Sequence, residues 1–514
     1  MIQKVKTYAH VGLQGHEIVI EADSSKSLPT IEIVGLPDAA IKESKERLRA
    51  TFRNVAIDLP KRKIVLNLSP SDIKKVGTSF DLPMAVAILL LIYERNISLS
   101  VDDFLFFGEL GLDGSIKRVN GLLPCVISAM QRGYKHFFVP EENVYELEYV
   151  PGITVYPLKT FSQIVSYFVY GKPFVTIDQA KDIEELYQHT NSYDVDFSQI
   201  KGQILAKRAL ALAAAGFHNI LMVGAPGSGK TLLSKGLPSI LPPLGFEEIL
   251  EVSQIYSIVG KLSKEMPLIT QRPFRQVHHT ASKISITGGG SRLTPGEISL
   301  AHKGILFFDE LTEFPREVLE VLRQPLEDKS VVISRVSGTI QYPANFMFVA
   351  AMNPCKCGFY KDRQKACHCS HIDIKRYQSK ISGPLLDRID MILEIPREDI
   401  DKILTNIAEE SSLSVRDKVI AARRIQQQRF AGTSITSNSQ ITSKEIDILI
   451  PLTEECKTFL SEASRKLTIS TRVVHRTIKL ARTIADIQGE ADVAVKHLAE
   501  ALQYRSKTMF VESE

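Results

Sequence analysis

The stretch NILMVGAPGSGKT, residues 219 to 231, constrains the fold of this chain more than any other. An apolar run leads directly into Gly224-x-x-x-x-Gly229-Lys230-Thr231, and the helix-forming LLSKGL follows. A buried strand that ends in a glycine-rich turn and reopens as a helix belongs to an α/β core built on a parallel sheet. Gly224, Ala225, Pro226, Gly227, Ser228 and Gly229 then form a loop whose backbone amides turn inward around phosphate, helped by the positive end of the helix. Lys230 would neutralise the β- and γ-phosphate oxygens and the Thr231 hydroxyl would coordinate Mg²⁺, so ATP and Mg²⁺ are the expected cofactors. The bland alternative, a glycine turn beside a surface lysine, leaves the flanking strand and helix unexplained.

Two further apolar runs end in polar groups suited to the same chemistry. GILFFDEL closes on Asp309, placed to hold the Mg²⁺ shell, and Glu310, able to polarise an attacking water. FMFVAAMNP closes on Asn353, a neutral group suited to orienting that water. With these, residues 197 to 396 resemble the AAA+ ATPases. In that resemblance Asn353 takes the sensor position, and Arg388 of ISGPLLDRID takes the arginine-finger position that reaches a neighbouring subunit's nucleotide. Such an arginine is worth about 10³ to 10⁵ in rate. The residue-level alternative for Arg388 is a salt bridge to Asp387 or Asp390. Arg472 of STRVVHR is the expected second sensor, with Arg476 one turn later.

At 514 residues the chain exceeds one ordinary core. Four regions separate: an α/β domain over 1–170, a polar, acidic linker with one short helix over 171–196, the α/β ATPase core over 197–396, and a helical lid over 397–514. A net charge of +4 on this length neither demands nor excludes nucleic acid, so any basic surface must be local. The N-terminus lacks the apolar core of a signal peptide, and the run MAVAILLLI is about half the length of a membrane span. The expectation is a cytoplasmic protein without a membrane partner. Thiols stay reduced there, which matters for NPCKCGFYKDRQKACHCSH, residues 353 to 371, where four of six cysteines cluster. Cys355, Cys357, Cys367 and Cys369 can close a tetrahedral Zn²⁺ site with no open position, a structural staple between sensor and finger rather than a catalytic metal. His368 or His371 could replace one thiolate, while Cys125 and Cys456 read as buried residues.

RPFRQVHHTAS, LTPGEISLAHKGILFFDEL, FMFVAAMNPC, ISGPLLDRID and KLARTIADI together resemble the ComM/YifB family of magnesium-chelatase-like AAA+ ATPases, over nearly the whole chain. That resemblance implies a hexameric helicase that binds single-stranded and branched DNA and promotes branch migration of recombination intermediates, in natural transformation or homologous recombination, with other recombination proteins as possible partners. The runner-up is a motor subunit of a metal-chelatase-like remodelling complex. At the front, KKVGTSFDLP and FGELGLDGSIKRVNGLLPCVISAMQRGYKHFFVPEEN resemble the proteolytic domain of Lon. Ser79 falls at the serine position, but the lysine position holds Leu123, which cannot take a proton, and Lys74 or Lys75 is the only nearby substitute. The domain is therefore expected to be a peptidase-inactive module used for DNA contact or ring assembly.

DNA contact is expected from Arg416, Lys418, Arg423, Arg424 and Arg429 along one helix, and from Lys283, Arg292 and Arg335 in candidate pore loops. The bland reading of each is a solvated charge. His278 and His279 are expected on opposite faces of a strand, unable to share a metal.

Overall fold

The apolar runs of the first 170 residues assemble into a seven-stranded sheet in a computed structural model that describes residues 2–505 apart from 95–96, 98–99, 190–192, 291–292, 336–337, 363, 399–408 and 468. Its strands are β1 (Gln3–Val11), β2 (Gln14–Ser25), β3 (Thr30–Val34), β4 (Lys63–Ser69), β5 (Phe104–Phe106), β8 (His136–Pro140) and β9 (Thr154–Leu158), in the order β3-β4-β2-β1-β5-β8-β9. A small hairpin, β6 (Glu109–Leu110) with β7 (Ile116–Lys117), lies between β5 and β8 in the chain. The helix Ala39–Asn54 buries Ile41, Ser44, Leu48, Thr51 and Phe52, the spacing of a single helical face, and Asp38 caps it by accepting a hydrogen bond from the Ile41 amide at 2.9 Å. The run MAVAILLLI lies within the helix Asp81–Ile92, which is buried from Asp81 through Leu90. Among the described residues no helix is long and apolar enough to cross a membrane.

The second sheet has five parallel strands: β10 (Ile220–Val223), β11 (Phe274–Val277), β14 (Ile305–Phe308), β17 (Met347–Met352) and β18 (Met391–Glu394), ordered β11-β14-β17-β10-β18. Every residue of β10, β14 and β17 is buried, which is why their sequences run apolar without alternation. Two antiparallel hairpins project from this core, β12 (Gly288–Gly289) with β13 (Thr294–Pro295), and β15 (Ser330–Arg335) with β16 (Gly338–Pro343). The helices Ser412–Arg429, Glu454–Leu467, Thr471–Gln488 and Val495–Gln503 follow. They share one apolar core with the helix Ile204–Gly216 and with one face of the five-stranded sheet.

The linker is docked against its neighbours. Ile177 exchanges backbone hydrogen bonds with Val155 at 2.9 and 3.0 Å, Leu186 is buried, and the Tyr187 hydroxyl donates to the Leu244 carbonyl at 2.6 Å. It carries the helix Ile183–His189. The two sheets are joined by the helix Leu122–Gln131 packing on the helix Phe246–Ile258. Within that contact Glu146 is buried and accepts from Ser257 Oγ at 2.6 Å and Asn143 Nδ2 at 2.9 Å, while Arg118 and Tyr145 donate to the Leu262 carbonyl.

Leu123, which the resemblance to Lon sets at the lysine position, is fully buried in this seam. Lys75 donates to the Pro70 carbonyl and is buried in the N-terminal domain, and Lys74 is exposed. A lysine at 123 would place an ammonium among apolar side chains. Leu123→Lys is therefore expected to destabilise the protein by about 3 kcal/mol or more in urea unfolding, and to produce no casein cleavage.

Candidate functional site

The parallel register of the five-stranded sheet decides where the polar ends of the apolar runs go. Val223 pairs with Met352, and Phe308 with Ala350, so Gly224 and Asn353 emerge level at the carboxyl edge, with Asp309 leaving the same edge two residues earlier. There the Lys230 ammonium donates to the Gly224 and Ala225 carbonyls at 2.8 and 3.0 Å and to Asn353 Oδ1 at 3.3 Å. The Thr231 hydroxyl donates to Asp309 Oδ2 at 2.9 Å, and the Glu310 amide to Asp309 Oδ1 at 3.0 Å. Glu310 itself is exposed, in the left-handed region at φ 51°. A hydroxyl and a carboxylate converging beside a lysine suit a Mg²⁺-nucleotide. The loop is shaped for phosphate as well: Gly227 and Gly229 have φ of 79° and 89° with open space beside them, and a Cβ on Gly224 would lie 2.3 Å from the Ile395 carbonyl oxygen. Burial pulls Lys230 down to about 8, against the opposing pull of Asp309 and Glu310.

The cysteines also converge. The sulfurs of Cys355, Cys357, Cys367 and Cys369 lie within 4.8 Å of one another, with Cys355 at 3.3 Å from Cys357 and 3.7 Å from Cys367. Four thiolates around zinc at about 2.3 Å sit about 3.8 Å apart, so the spacing fits a tetrahedral ion. Neither His368 nor His371 belongs to the group. Burial opposes ionisation of Cys357, but the backbone amides of Phe359 and His368 bring its thiol down to about 6, towards the thiolate a metal needs.

Arg388 and the lid arginines sit elsewhere. Arg388 precedes β18, so it lies at the amino edge of the sheet, with the length of that four-residue strand, about 10 Å, between it and the carboxyl edge. It forms an ion pair with Glu327, and neither Asp387 nor Asp390 is its partner. Its Nε is buried without a hydrogen-bond partner among the described residues. Asp390 instead pairs with Arg476 and accepts from the Asn219 amide at 2.8 Å. Its carboxyl is held far below the usual range: burial pushes it up, but Arg476 and His218 more than offset that. Arg472, one turn before Arg476, is exposed at the start of its helix. Arg476 is thus anchored at the same amino edge, away from its own P-loop.

The basic helix expected to meet DNA is largely committed internally. Arg416 donates to the Ser239 carbonyl at 2.7 Å, Arg423 to the Ala214 carbonyl at 3.2 Å, and Arg429 pairs with Asp486. Lys418 pairs with Glu410, and Arg424 is exposed. Lys283 and Arg335 are exposed on neighbouring elements: a Cβ on Gly289 would lie 3.6 Å from Ile284 and 3.7 Å from the Arg335 guanidinium. Arg292 lies outside the described residues. The β15 and β16 hairpin is buttressed by the turn between β1 and β2, where a Cβ on Gly12 would meet Ile340 at 2.9 Å. His278 and His279 do not straddle a strand, because β11 stops at Val277, and their rings lie 4.3 Å apart. Cys125 and Cys456 are buried, as expected.

Family models match residues 20–143 (Subunit ChlI of Mg-chelatase), 196–403 (Magnesium chelatase, subunit ChlI) and 409–505 (Magnesium chelatase, subunit ChlI C-terminal). Competence protein ComM of Haemophilus influenzae is 38% identical, over 98% of this chain and 97% of its own length. The chain belongs to the ComM/YifB family of magnesium-chelatase-like AAA+ ATPases. YifB of Escherichia coli is likewise 38% identical, over 98% of this chain and 96% of its own. The Magnesium-chelatase 67 kDa subunit of Heliobacterium mobile is 24% identical, over 59% of this chain and 46% of its own. ATP hydrolysis with Mg²⁺ is the chemistry that this family membership suggests.

Three contacts at the site escaped the motifs. Arg397 Nη2 donates to the Pro226 carbonyl at 3.1 Å, Gly358 presses on the Pro226 ring, and Gln203, at φ 52°, donates through Nε2 to the Pro396 carbonyl at 2.8 Å. None belongs to a recognisable spacing. The depressed Lys230 has a direct consequence. Free protein loses the ammonium as pH rises through about 8, whereas phosphate favours the charged form, so nucleotide binding above that pH must take up a proton. Titration calorimetry with Mg²⁺-ADP in buffers of different ionisation enthalpy is expected to show proton uptake at pH 9 that falls away at pH 7, with weaker affinity at the higher pH.

Proposed function

We propose that the chain is an ATP-driven DNA helicase or translocase, active as a homo-hexamer, that promotes branch migration of recombination intermediates in natural transformation or homologous recombination. The carrying observation is the convergence of Lys230, Thr231, Asp309 and Asn353 at one sheet edge, in a chain alike from end to end to a competence protein. Lys230 holds the β- and γ-phosphates, Thr231 and Asp309 hold Mg²⁺, Glu310 polarises the attacking water and Asn353 orients it. Arg388 stands at the opposite edge of the sheet from its own phosphates, which supports its completing the nucleotide site of a neighbouring subunit, and Arg472, exposed at the start of its helix, serves as the second sensor. A ring follows from that division of labour. Single-stranded and branched DNA is met by Lys283 and Arg335 rather than by the helix Ser412–Arg429, and other recombination proteins load or accept the product. The protein works in the cytoplasm. The four cysteines hold one structural Zn²⁺.

A motor for metal insertion is the second reading. It is favoured by the match of residues 20–143 to a chelatase-subunit model. Coverage favours the DNA motor, since the chelatase subunit aligns over less than half its own length.

Hydrolysis measured with and without single-stranded, forked and four-way DNA, coupled to strand displacement, separates the two. DNA stimulation and displacement are expected, and both should vanish in Glu310→Gln. Arg388→Ala should lower kcat by about 10³-fold while leaving nucleotide Kd unchanged. A protein that hydrolyses ATP with no response to any of these DNAs sinks the helicase reading. Emission spectrometry of protein purified without chelator should find about one zinc per chain.

A further inference from the structure

The cysteine loop touches more than the chain between sensor and finger. Immediately after Cys357, Gly358 takes φ 87° and approaches the P-loop so closely that a Cβ there would lie 2.5 Å from Pro226 Cδ. The next residue, Phe359, lies under the Arg397 guanidinium at 5.1 Å and the Lys365 ammonium at 4.5 Å. Arg397 is also held by Asp362, with Nε 3.7 Å from Oδ2, and Asp362 is itself fixed by the Gln364 and Lys365 amides at 2.9 and 2.8 Å. From this seat Arg397 donates to the Pro226 carbonyl at 3.1 Å. The chain of contacts therefore runs from the sulfurs through Gly358 and Phe359 to Arg397 and ends on the P-loop backbone.

The geometry points to Arg397 as a positioning residue for the phosphates, and to the metal in the Cys355, Cys357, Cys367 and Cys369 cluster as the element that sets nucleotide affinity through it. The physical reason lies in the peptide plane. A trans peptide carries its carbonyl and the next amide on opposite sides. Holding the Pro226 carbonyl against Arg397 turns the Gly227 N–H the other way, towards the phosphate cradle, before any nucleotide arrives. Gly227, at φ 79° with open space around it, has no packing of its own to hold that orientation. Loop residues 355–369 are mostly polar, so without a metal they have little to keep Phe359 and Asp362 in place under Arg397. The metal is thus a component of the nucleotide site at a distance. This rests on the readings of the P-loop as a nucleotide site and of the four cysteines as a zinc site.

The test measures binding of a fluorescent ADP analogue with Mg²⁺, alongside zinc content and far-ultraviolet circular dichroism, in the full chain. Arg397→Ala should retain about one zinc and weaken nucleotide binding about tenfold, the loss of one charge-assisted hydrogen bond. Arg397→Lys should recover part of it. Cys367→Ser with Cys369→Ser should lose zinc and weaken binding by a similar factor, and adding Arg397→Ala to that variant should cost little more, because both act through one contact. Wild-type affinity in zinc-retaining Arg397→Ala overturns the proposal even if the cysteine variant misfolds. So do fully multiplicative losses in the combined variant, or a folded zinc-free variant that binds nucleotide as wild type does. Lys230→Ala distinguishes a failure of the underlying reading: if it too binds like wild type, the P-loop is not the nucleotide site at all.

Discussion

Everything proposed for this protein depends on the register of three parallel strands. Because Val223 stands beside Met352 and Phe308 beside Ala350, β10 and β17 end level and β14 only two residues earlier, and the chain delivers a glycine loop, an asparagine and an aspartate to the same edge. The strands can be held at that level because both faces of the sheet are covered and every residue in them is buried, so a slip would expose apolar surface. The ammonium of Lys230, withdrawn from water by that burial, is kept close to Asn353 and two backbone carbonyls, ready to exchange them for phosphate oxygens.

The same sheet gives the molecule two sides with different duties. Lys230, Thr231, Asp309 and Asn353 gather at the carboxyl edge, while Arg388, Asp390 and Arg476 occupy the amino edge. Asp390 is the organising charge there, buried and matched by Arg476 and the Asn219 amide. That fixes the helix Thr471–Gln488 to the start of β18. The N-terminal domain is tied in with equal firmness. Its helix Leu122–Gln131 serves as the contact surface for the helix Phe246–Ile258.

Legibility in the sequence followed the range of the interactions. The P-loop, the acidic strand end and the sensor asparagine are each encoded within a dozen residues, and they were readable because strand, turn and helix follow one another without a gap. The four cysteines were readable as a cluster for the same reason. The basic run from Arg416 to Arg429 misled, because charge spacing says nothing about what the far ends of the side chains meet; the carbonyls of Ser239 and Ala214 and the carboxylate of Asp486 come from distant parts of the chain. His278 and His279 misled in a smaller way: alternation applies only inside a strand, and β11 had already ended.

The sequence by itself determined that this chain has an α/β core of the magnesium-chelatase-like AAA+ kind, and where its glycine loop, strand-end carboxylates and clustered cysteines lie. Those are local matters, set by residue type at short spacing. Only the tertiary structure decided that Arg388 and Arg476 face away from their own nucleotide edge, that Leu123 lies in the seam between the two sheets, and that Gly358 and Arg397 bear on Pro226. Each of these joins residues separated by 61 or more positions. Contacts of that range are set by strand order and by which apolar faces must cover one another, and no short spacing in the chain records them.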